Sequence, residues 1–146
     1  MTTCPRYLLD TNMVSDLVRH PAGSVMRHIA RVGADQICIS IVVACEICFG
    51  AAKSGSQRLA RQVELVLGQI EILPLEQPVE EHYADIRNTL ERAGAPIGPN
   101  DLLIAAHVRA LGLTLVTDNV REFSRVPGLA VENWLDGAAD NSGPQS

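Results

Sequence analysis

Along the chain, short apolar segments typical of strands alternate with segments whose hydrophobic residues recur at helical spacing. A short apolar run at residues 6–9 stops at Asp10, and apolar residues then recur at helical spacing from Met13 to Val18. The same patterns predict further strands at 36–39, 70–73, 114–117 and 129–131, and further helices at 24–32, 40–52, 56–67, 79–93 and 102–111. Because strands alternate with helices, we expect an α/β fold in which a parallel sheet lies between helix layers.

Capping residues support several of these boundaries. Ser40 and Ser56 are favourable N-cap residues, and Gly94 is placed to end the helix predicted at 79–93. The segment Gly98-Pro99-Asn100-Asp101 is a helix-start signal, because Pro is tolerated in the first turn and Asp is favoured at the positive end of the helix dipole. Eight of the ten residues at 102–111 are apolar, so this helix is predicted to lie in the core.

Length and composition fit one folded domain. The chain has 146 residues, 47% of them hydrophobic and 20% charged. We assign residues 1–136 to the domain and expect residues 137–146, which lack hydrophobic periodicity, to form a flexible tail. No apolar stretch approaches the length of a bilayer span, and the first residues lack a signal-peptide core. The protein is therefore expected in the cytoplasm, without a membrane partner.

The charge balance limits how this chain could handle nucleic acid. Twelve basic and seventeen acidic residues give a net charge of −5, which argues against broad electrostatic wrapping of a polyanion. Aromatic residues make up only 3% of the chain, so a platform of stacked aromatic side chains is poorly supported. Any binding or chemistry on phosphates would therefore need a local site that offsets the negative charge of the chain.

Four carboxylates stand against apolar sequence, where an unpaired charge is costly. Asp10 and Asp118 each end a predicted strand, and the carboxyl ends of parallel strands share one edge of a sheet. Glu46 lies in a nearly continuous apolar helix and should have a partner, a shifted pKa or a metal. Asp101 enters the core helix at its first turn. Helices that follow strands begin at the same edge, so all four acids are predicted to converge.

Converged carboxylates repel one another, and a divalent cation is the simplest way to offset that repulsion. Oxygen ligands without His or Cys favour Mg²⁺, with Mn²⁺ as a possible substitute, over Zn²⁺. A phosphodiester is a natural substrate for such a site, because its oxygens can complete the coordination shell while the metal activates water. The cation bound at such an acidic site would supply the local positive charge that a chain with a net negative charge needs in order to bind phosphate.

Four ordered motifs resemble a known family. They are Leu8-Leu9-Asp10-Thr11-Asn12, Glu46 with Gly50, Gly98 to Ala106, and Leu115-Val116-Thr117-Asp118-Asn119 with Arg121-Glu122-Phe123. They are similar to the motifs of PIN-domain ribonucleases, in particular VapC-type toxins of bacterial type II toxin–antitoxin systems. The resemblance runs from about Tyr7 to Trp134. It implies a PIN-like three-layer α/β/α sandwich with a central parallel sheet.

The resemblance also implies an activity, that of a metal-dependent endoribonuclease that hydrolyses RNA phosphodiester bonds. Its acidic quartet would be Asp10, Glu46, Asp101 and Asp118. In that family the acids matching Asp10 and Asp101 are the usual direct Mg²⁺ ligands. Glu46 and Asp118 would complete the site through water or a second metal.

Several neighbours of the acids match positions that orient the quartet by hydrogen bonds in the family. These are Thr11, Asn12, Thr117 and Asn119. One position departs from the pattern, because Val43 stands where many relatives carry a Thr one turn before the acidic residue. A helper hydrogen bond to Glu46 is therefore expected to be missing.

The partners implied by the resemblance are RNA as substrate and a VapB-like antitoxin that covers the site. A homodimer is also typical of such toxins, and operator DNA is bound only through the antitoxin complex. Family members cut particular tRNAs or ribosomal RNA, and the sequence leaves that choice open. A catalytically weak PIN module that mainly binds antitoxin or RNA is the alternative. Loss of an acid would indicate it, and all four acids are present.

Other interpretations of single motifs are weaker. A phospho-acceptor receiver domain would need a Lys near its acidic site, and the only Lys is Lys53. The pair Cys45-x-x-Cys48 is interpreted as two buried thiols, because a structural zinc site needs two more ligands.

His107 is predicted to be a hydrogen-bonded residue of the core or its rim. Three arginines, Arg109, Arg121 and Arg125, are candidates for phosphate contacts, although most arginines are expected to be solvated.

Overall fold

The computed structural model describes residues 4–135. Its strands are β1 (Tyr7–Leu9), β2 (Ile37–Ser40), β3 (Glu71–Leu73), β4 (Thr114–Val116) and β5 (Ala130–Glu132). Its helices are α1 (Thr11–Arg19), α2 (Ser24–Val32), α3 (Ile41–Ser54), α4 (Gln57–Leu67), α5 (Val79–Arg92), α6 (Pro99–Leu111) and α7 (Val120–Phe123). A 3₁₀ turn at Ala34–Gln36 precedes β2. The expected tail at 137–146 lies outside the described residues.

The strands form one parallel sheet in the order β3-β2-β1-β4-β5. Tyr7 of β1 is paired with Ile37 on one side and with Thr114 on the other, so β1 is the central strand. Its neighbours β2 and β4 are almost wholly buried, whereas the edge strands are partly exposed. The α/β/α sandwich predicted from the sequence is confirmed. All strand carboxyl ends share one edge, and α1 and α3 begin there directly after β1 and β2.

Local sequence explains where the helices begin. Asp10 caps α1 by accepting a hydrogen bond from the Thr11 N–H at 2.7 Å. Ser40 caps α3 through the Val42 N–H at 3.1 Å, and Ser56 caps α4. Helix α6 begins at Pro99, within the predicted helix-start segment, because a Pro at this position needs no intrahelical N–H partner. The capping predictions for Ser40 and Ser56 are confirmed.

The core is built around the central strands and α6. Residues of α6 that are buried are Leu102, Ile104, Ala105, Ala106, His107 and Val108. Helix α5 packs along α6, and α1 contacts α2, α3 and α4. The prediction of a core helix is confirmed by this burial. None of the helices in residues 4–135 combines the length and apolarity needed to cross a membrane.

One helix was not predicted, and one prediction of burial is wrong. Helix α7 has only four residues, too few to show a helical period, although its Phe123 is fully buried. Cys45 and Cys48 were expected to be buried, but both are exposed. Helix α3 packs through Val43 and Ile47, and its opposite side, where Phe49 is 66% exposed, faces away from the core. The sequence of α3 is nearly continuously apolar, so it did not indicate that only one side of this helix is buried.

Candidate active site

Two of the predicted acids lie at the ends of adjacent strands. Asp10 follows β1, and its N–H donates to the Val116 carbonyl of β4 at 2.8 Å. The Thr117 hydroxyl donates to Asp10 Oδ2 at 2.8 Å, and both residues are buried. Asp118 follows Thr117, is exposed, and accepts a hydrogen bond from Asn12 Nδ2 at 3.0 Å. The expectation that Asp10 and Asp118 are neighbours is confirmed by this strand pairing.

Glu46 is held from two sides. The Thr11 hydroxyl at the start of α1 donates to Glu46 Oε1, and Asn100 Nδ2 at the start of α6 donates to Oε2 at 3.1 Å. Three helices thus meet at one carboxylate, which is half-buried. Val43 is fully buried and has no polar side-chain atom, so it makes no hydrogen bond to Glu46. The expected partner of Glu46 is present, and it comes from other elements than the helix itself.

Asp101 lies in the first turn of α6 and faces a further carboxylate, Glu122 of α7. Burial is the main cause that raises the pKa of Asp101 to about 7, and a hydrogen bond with Glu122 and the charges of Asp10 and Glu46 add to the shift. Asn119 Nδ2 in turn donates to Glu122 Oε1 at 3.0 Å. Asp101 is therefore within the electrostatic reach of two other predicted acids.

The pKa of Asp10 is also raised. Burial is the largest cause, and the charges of Glu46 and Asp118 act in the same direction. Hydrogen bonds from Thr117 and from the Thr11 backbone partly counteract the shift. The structure thus brings together the four acids singled out in the sequence, and their mutual repulsion adds to the effect of burial on the pKa of Asp10 and of Asp101.

Each predicted orienting residue makes a contact at this edge, although not always to an acid of the quartet. Thr11 contacts both Asp10 and Glu46, and Asn12 contacts Asp118. Thr117 contacts Asp10 and accepts the Asn119 N–H at 3.0 Å. Asn119 reaches the quartet indirectly, through the Glu122 side chain and the Thr117 hydroxyl.

Two residues at the site were not singled out in the sequence. Asn100 holds Glu46, and Glu122 adds a fifth carboxylate beside Asp101. Both stand inside motifs that carried the family resemblance, Gly98 to Ala106 and Arg121 to Phe123. Their position inside these motifs was the available signal in each case.

The donor chemistry of this site fits a hard divalent cation. Its acidic donors are carboxylate oxygens, and burial raises the pKa of Asp10 and Asp101, with the charges of neighbouring carboxylates adding to both shifts. Within residues 4–135, no three carboxylate, imidazole or thiol groups are gathered closely enough to form a complete all-protein metal site. Carboxylate oxygens without His or Cys donors suit a hard divalent cation better than Zn²⁺.

The candidate arginines fall into two groups. Arg109 is used by the fold, because its Nη2 donates to Asp85 Oδ2 at 2.7 Å and its Nη1 to the Pro127 carbonyl at 2.9 Å. A phosphate contact through Arg109 is therefore disfavoured. Arg121 and Arg125 are exposed.

Comparison with known proteins agrees with this geometry. The family profile described as PIN domain matches residues 7–129. The chain is 37% identical over 130 residues to the tRNA(fMet)-specific endonuclease VapC of Shigella flexneri, covering 88% of this chain and 98% of that protein. It is also 37% identical over 132 residues to ribonuclease VapC2 of Haemophilus influenzae, covering 89% and 98%.

A solved structure gives the same result for the fold. The crystal structure of VapBC2 from Rickettsia felis bound to a DNA fragment from their promoter superposes with a TM-score of 0.82 at 32% identity. The match covers 90% of this chain and 99% of that one. The chain therefore belongs to the PIN domain family, and within it to the group of VapC-type ribonucleases.

Proposed function

We propose that this protein is a Mg²⁺-dependent endoribonuclease that acts as the toxin of a VapBC-like toxin–antitoxin system. The observation that carries the proposal is the convergence of Asp10, Glu46, Asp101 and Asp118 at one edge of the sheet, with raised pKa values at Asp10 and Asp101. The names of the relatives support the nuclease class, because they are ribonucleases or endonucleases. The metal and its ligands are inferred from the carboxylate chemistry.

In this proposal Asp10 and Asp101 are the principal Mg²⁺ ligands, and Glu46 and Asp118 complete the site. When bound, Mg²⁺ supplies activation of water and neutralisation of negative charge on the phosphate. Thr117 fixes the orientation of Asp10, whereas Thr11 and Asn100 fix that of Glu46. These hydrogen bonds hold the carboxylates in place before substrate arrives, which reduces the reorganisation needed during reaction.

Two further acids complete the proposed chemistry. Asp118 is exposed and held by Asn12, so it would orient the attacking water at the open side of the site. Water loses a proton as it attacks the phosphorus, the bond from phosphorus to one ribose oxygen breaks, and that oxygen takes up a proton as it leaves, so each cut consumes one water molecule. Glu122 would support Asp101 by a shared hydrogen bond while no cation is bound.

The partners proposed for this chain follow from its relatives. A VapB-like antitoxin is inferred as the inhibitor, and operator DNA would be contacted through the antitoxin complex, since the Rickettsia felis structure is a VapBC2 complex bound to promoter DNA. A homodimer is proposed from the family resemblance, with RNA as the substrate.

The experiment is cleavage of total cellular RNA by purified, antitoxin-free protein with Mg²⁺, with Mn²⁺ and with EDTA. Discrete fragments are expected with either metal and none with EDTA. Asp10→Asn and Asp101→Asn should each abolish the fragments while circular dichroism remains unchanged. Glu80→Gln, which alters an exposed acid in the first turn of α5, is the matched control and should cut normally.

The same experiment also tests the alternative. If folded, metal-loaded protein cut no RNA, the function would instead be that of a PIN module that binds antitoxin or RNA. Normal cleavage by Asp10→Asn or by Asp101→Asn would contradict the role of that residue as a principal Mg²⁺ ligand.

A further inference from the structure

A cleft opens directly beside the carboxylates. It lies between α1, α3 and α4, encloses about 310 Å³, and has Thr11 and Glu46 in its wall. A volume of this size is in the range of small-ligand sites. Because Thr11 and Glu46 also belong to the acidic site, whatever lies in the cleft is continuous with whatever lies over the acids.

The wall of the cleft formed by α1 carries three polar residues beside the buried Val18. Thr11, Ser15 and Arg19 of α1 all line it, at a spacing of four residues that places them on the same face of the helix. Arg19 is exposed at the last turn of α1, roughly 12 Å along the helix axis from Thr11 at 1.5 Å per residue. Within residues 4–135 its guanidinium forms no ion pair or hydrogen bond. An unpaired cation thus stands at the far end of a row of hydroxyl groups.

The opposite wall is apolar and open. It is formed by Ile47, Gly50 and Ala51 of α3 with Leu59 and Val63 of α4. Gly50 is one helical turn beyond Glu46, and a Cβ built on it would meet no atom within 4 Å. The absence of a side chain at Gly50 therefore leaves room in the cleft next to the carboxylates.

We propose that this cleft binds the nucleotide of single-stranded RNA that adjoins the scissile phosphodiester. The base lies against the apolar wall of α3 and α4, and the ribose and next phosphate lie along Thr11, Ser15 and Arg19. This inference rests on the proposed nuclease function and names a substrate subsite for it.

Two features favour a nucleotide as the occupant. A scissile phosphodiester over the acids is covalently joined to a nucleoside on each side, so one neighbouring nucleotide must lie within reach of Glu46. The cleft also matches the two-sided chemistry of a nucleotide, with the Ser15 hydroxyl and the Arg19 cation on one wall for ribose and phosphate and an apolar wall for the base. In a chain of net charge −5, the unpaired Arg19 supplies the local positive charge that a polyanion needs.

Two substitutions test the two walls, and one serves as control. Arg19→Gln removes the cation, and Gly50→Leu fills the apolar side. Leu is a better helix former than Gly, and its Cβ meets nothing within 4 Å, so Gly50→Leu should fold at least as well as the parent. Arg92→Gln is the matched control, because Arg92 is also an exposed arginine in the last turn of its helix but does not line the cleft.

The first readout is cleavage kinetics on an oligoribonucleotide that carries a cut site mapped in total RNA. Arg19→Gln should raise KM by about tenfold, as for loss of one charge-assisted hydrogen bond, with kcat unchanged. Gly50→Leu should alter the identity of the nucleotide next to the cut when fragment ends are sequenced. Arg92→Gln should match the parent in both measurements.

The second readout does not require catalysis. A short fluorescein-labelled single-stranded RNA of mixed sequence is titrated in EDTA against the Asp101→Asn protein, alone and combined with each cleft substitution. Weaker binding with Arg19→Gln and Gly50→Leu, but not with Arg92→Gln, would support the subsite even if the parent cut no RNA. That outcome would separate the subsite from the nuclease proposal.

The proposal is overturned if both cleft variants bind and cut RNA like the parent, with the same fragment ends. If they instead lose inhibition by an antitoxin peptide while RNA cleavage is unchanged, the cleft is a peptide site and the nucleotide assignment is wrong.

Discussion

The Thr117 hydroxyl donates a hydrogen bond to Asp10 Oδ2 at 2.8 Å, at the point where β4 and β1 end side by side. Both residues are buried, so water is largely excluded from this contact. Burial raises the pKa of Asp10, and the Thr117 hydrogen bond is the largest influence that lowers it again. This contact therefore favours the charged form of the most enclosed acid at the site.

Thr117→Val should consequently weaken both the site and the fold. Val has nearly the same shape but no hydroxyl, and it leaves the Asp10 oxygen and the Asn119 N–H without their partner. We expect the free energy of unfolding to fall by about 1–3 kcal/mol and RNA cleavage to decrease. Urea unfolding and cleavage rates measure the two effects. Thr117→Ser keeps the hydroxyl and should recover most of both losses; equal losses in Ser and Val variants would contradict this account.

Glu122 is predicted to affect metal affinity more than folding. Its carboxylate shares a hydrogen bond with Asp101, and its charge adds to the acidic field there. Glu122→Gln keeps the hydrogen-bonding capacity but removes the charge. The Mg²⁺ concentration for half-maximal cleavage should rise by roughly 10-fold, as is typical when a partner of a metal ligand is changed.

A Mg²⁺ titration of cleavage provides the measurement for Glu122. Activity at saturating Mg²⁺ should remain well above that of Asp101→Asn. An unchanged Mg²⁺ requirement would show that Glu122 does not affect the affinity of the site for the metal.

The hydrogen bonds to Glu46 give a third prediction. Thr11→Val and Asn100→Ala each remove one donor to this carboxylate. Each loss should lower kcat/KM by roughly 10- to 100-fold, the range for hydrogen bonds to a charged group. Asn88→Ala changes an exposed amide on α5 and is the matched control. If Asn100→Ala cut RNA as fast as Asn88→Ala, Asn100 would have no part in positioning Glu46.

Much of this site followed from the sequence because two general rules act together. Parallel strands share their carboxyl ends, so residues that end apolar runs, such as Asp10 and Asp118, were expected at one edge. Helix-start signals then placed Asp101 at that edge as well. The capped helix at Gln57–Leu67 was predicted to the residue, because Ser56 is both an N-cap and the end of the preceding turn.

The remaining features depend on long-range packing that local patterns do not encode. The order of the strands, and hence the pairing of β1 with both β2 and β4, has no signature in the sequence of any one strand. Glu122 reaches Asp101 because a four-residue helix turns it inward, and Asn100 reaches Glu46 because α6 starts beside α3. The exposure of Cys45 was missed because an apolar sequence does not show which side of a helix is covered.

The cysteines offer a direct test of the observed burial. Cys38 lies fully buried in β2, and burial raises the pKa of its thiol to about 12. The other cysteines, Cys4, Cys45 and Cys48, are exposed. Because the thiolate is the reactive form, a disulfide reagent at neutral pH should label these three rapidly and Cys38 only after denaturation. Cys38→Ala should leave the rapid phase unchanged, whereas rapid loss of all four thiols would contradict the buried position of Cys38.

His107 connects the core to the start of the helix that carries Glu46. Its Nδ1 lies 2.9 Å from the Ser40 hydroxyl, which also accepts the Val42 N–H as the cap of α3. The Pro74 carbonyl interacts with the ring as well. A neutral imidazole that donates from Nε2 to the Pro74 carbonyl and accepts the Ser40 hydroxyl proton at Nδ1 satisfies both contacts. One buried ring thus joins α6, the β3 end and the α3 cap.

The protonation of His107 should make the fold sensitive to mild acid. Burial is the main cause that lowers the pKa of His107 below 6.5, although the Pro74 carbonyl and the charge of Glu76 oppose the shift. As pH falls through 6.5, the unfolded chain takes up a proton at His107 that the native protein does not, so the free energy of unfolding decreases until the folded pKa is reached. The contribution of neutral His107 to the free energy of unfolding is therefore complete at neutral pH and is lost on acidification.

Urea unfolding of metal-free protein at pH 7.5 and at pH 5.5 measures this contribution when wild type is compared with His107→Gln. Asp10 and Asp101, whose pKa values are raised, act in the opposite direction, and the comparison cancels them because both proteins retain them. His107→Gln should be less stable than wild type at pH 7.5, and the difference should shrink at pH 5.5. His20→Gln changes an exposed imidazole and is the matched control. A difference that stays constant between the two pH values would mean that His107 holds the α3 cap without responding to acid.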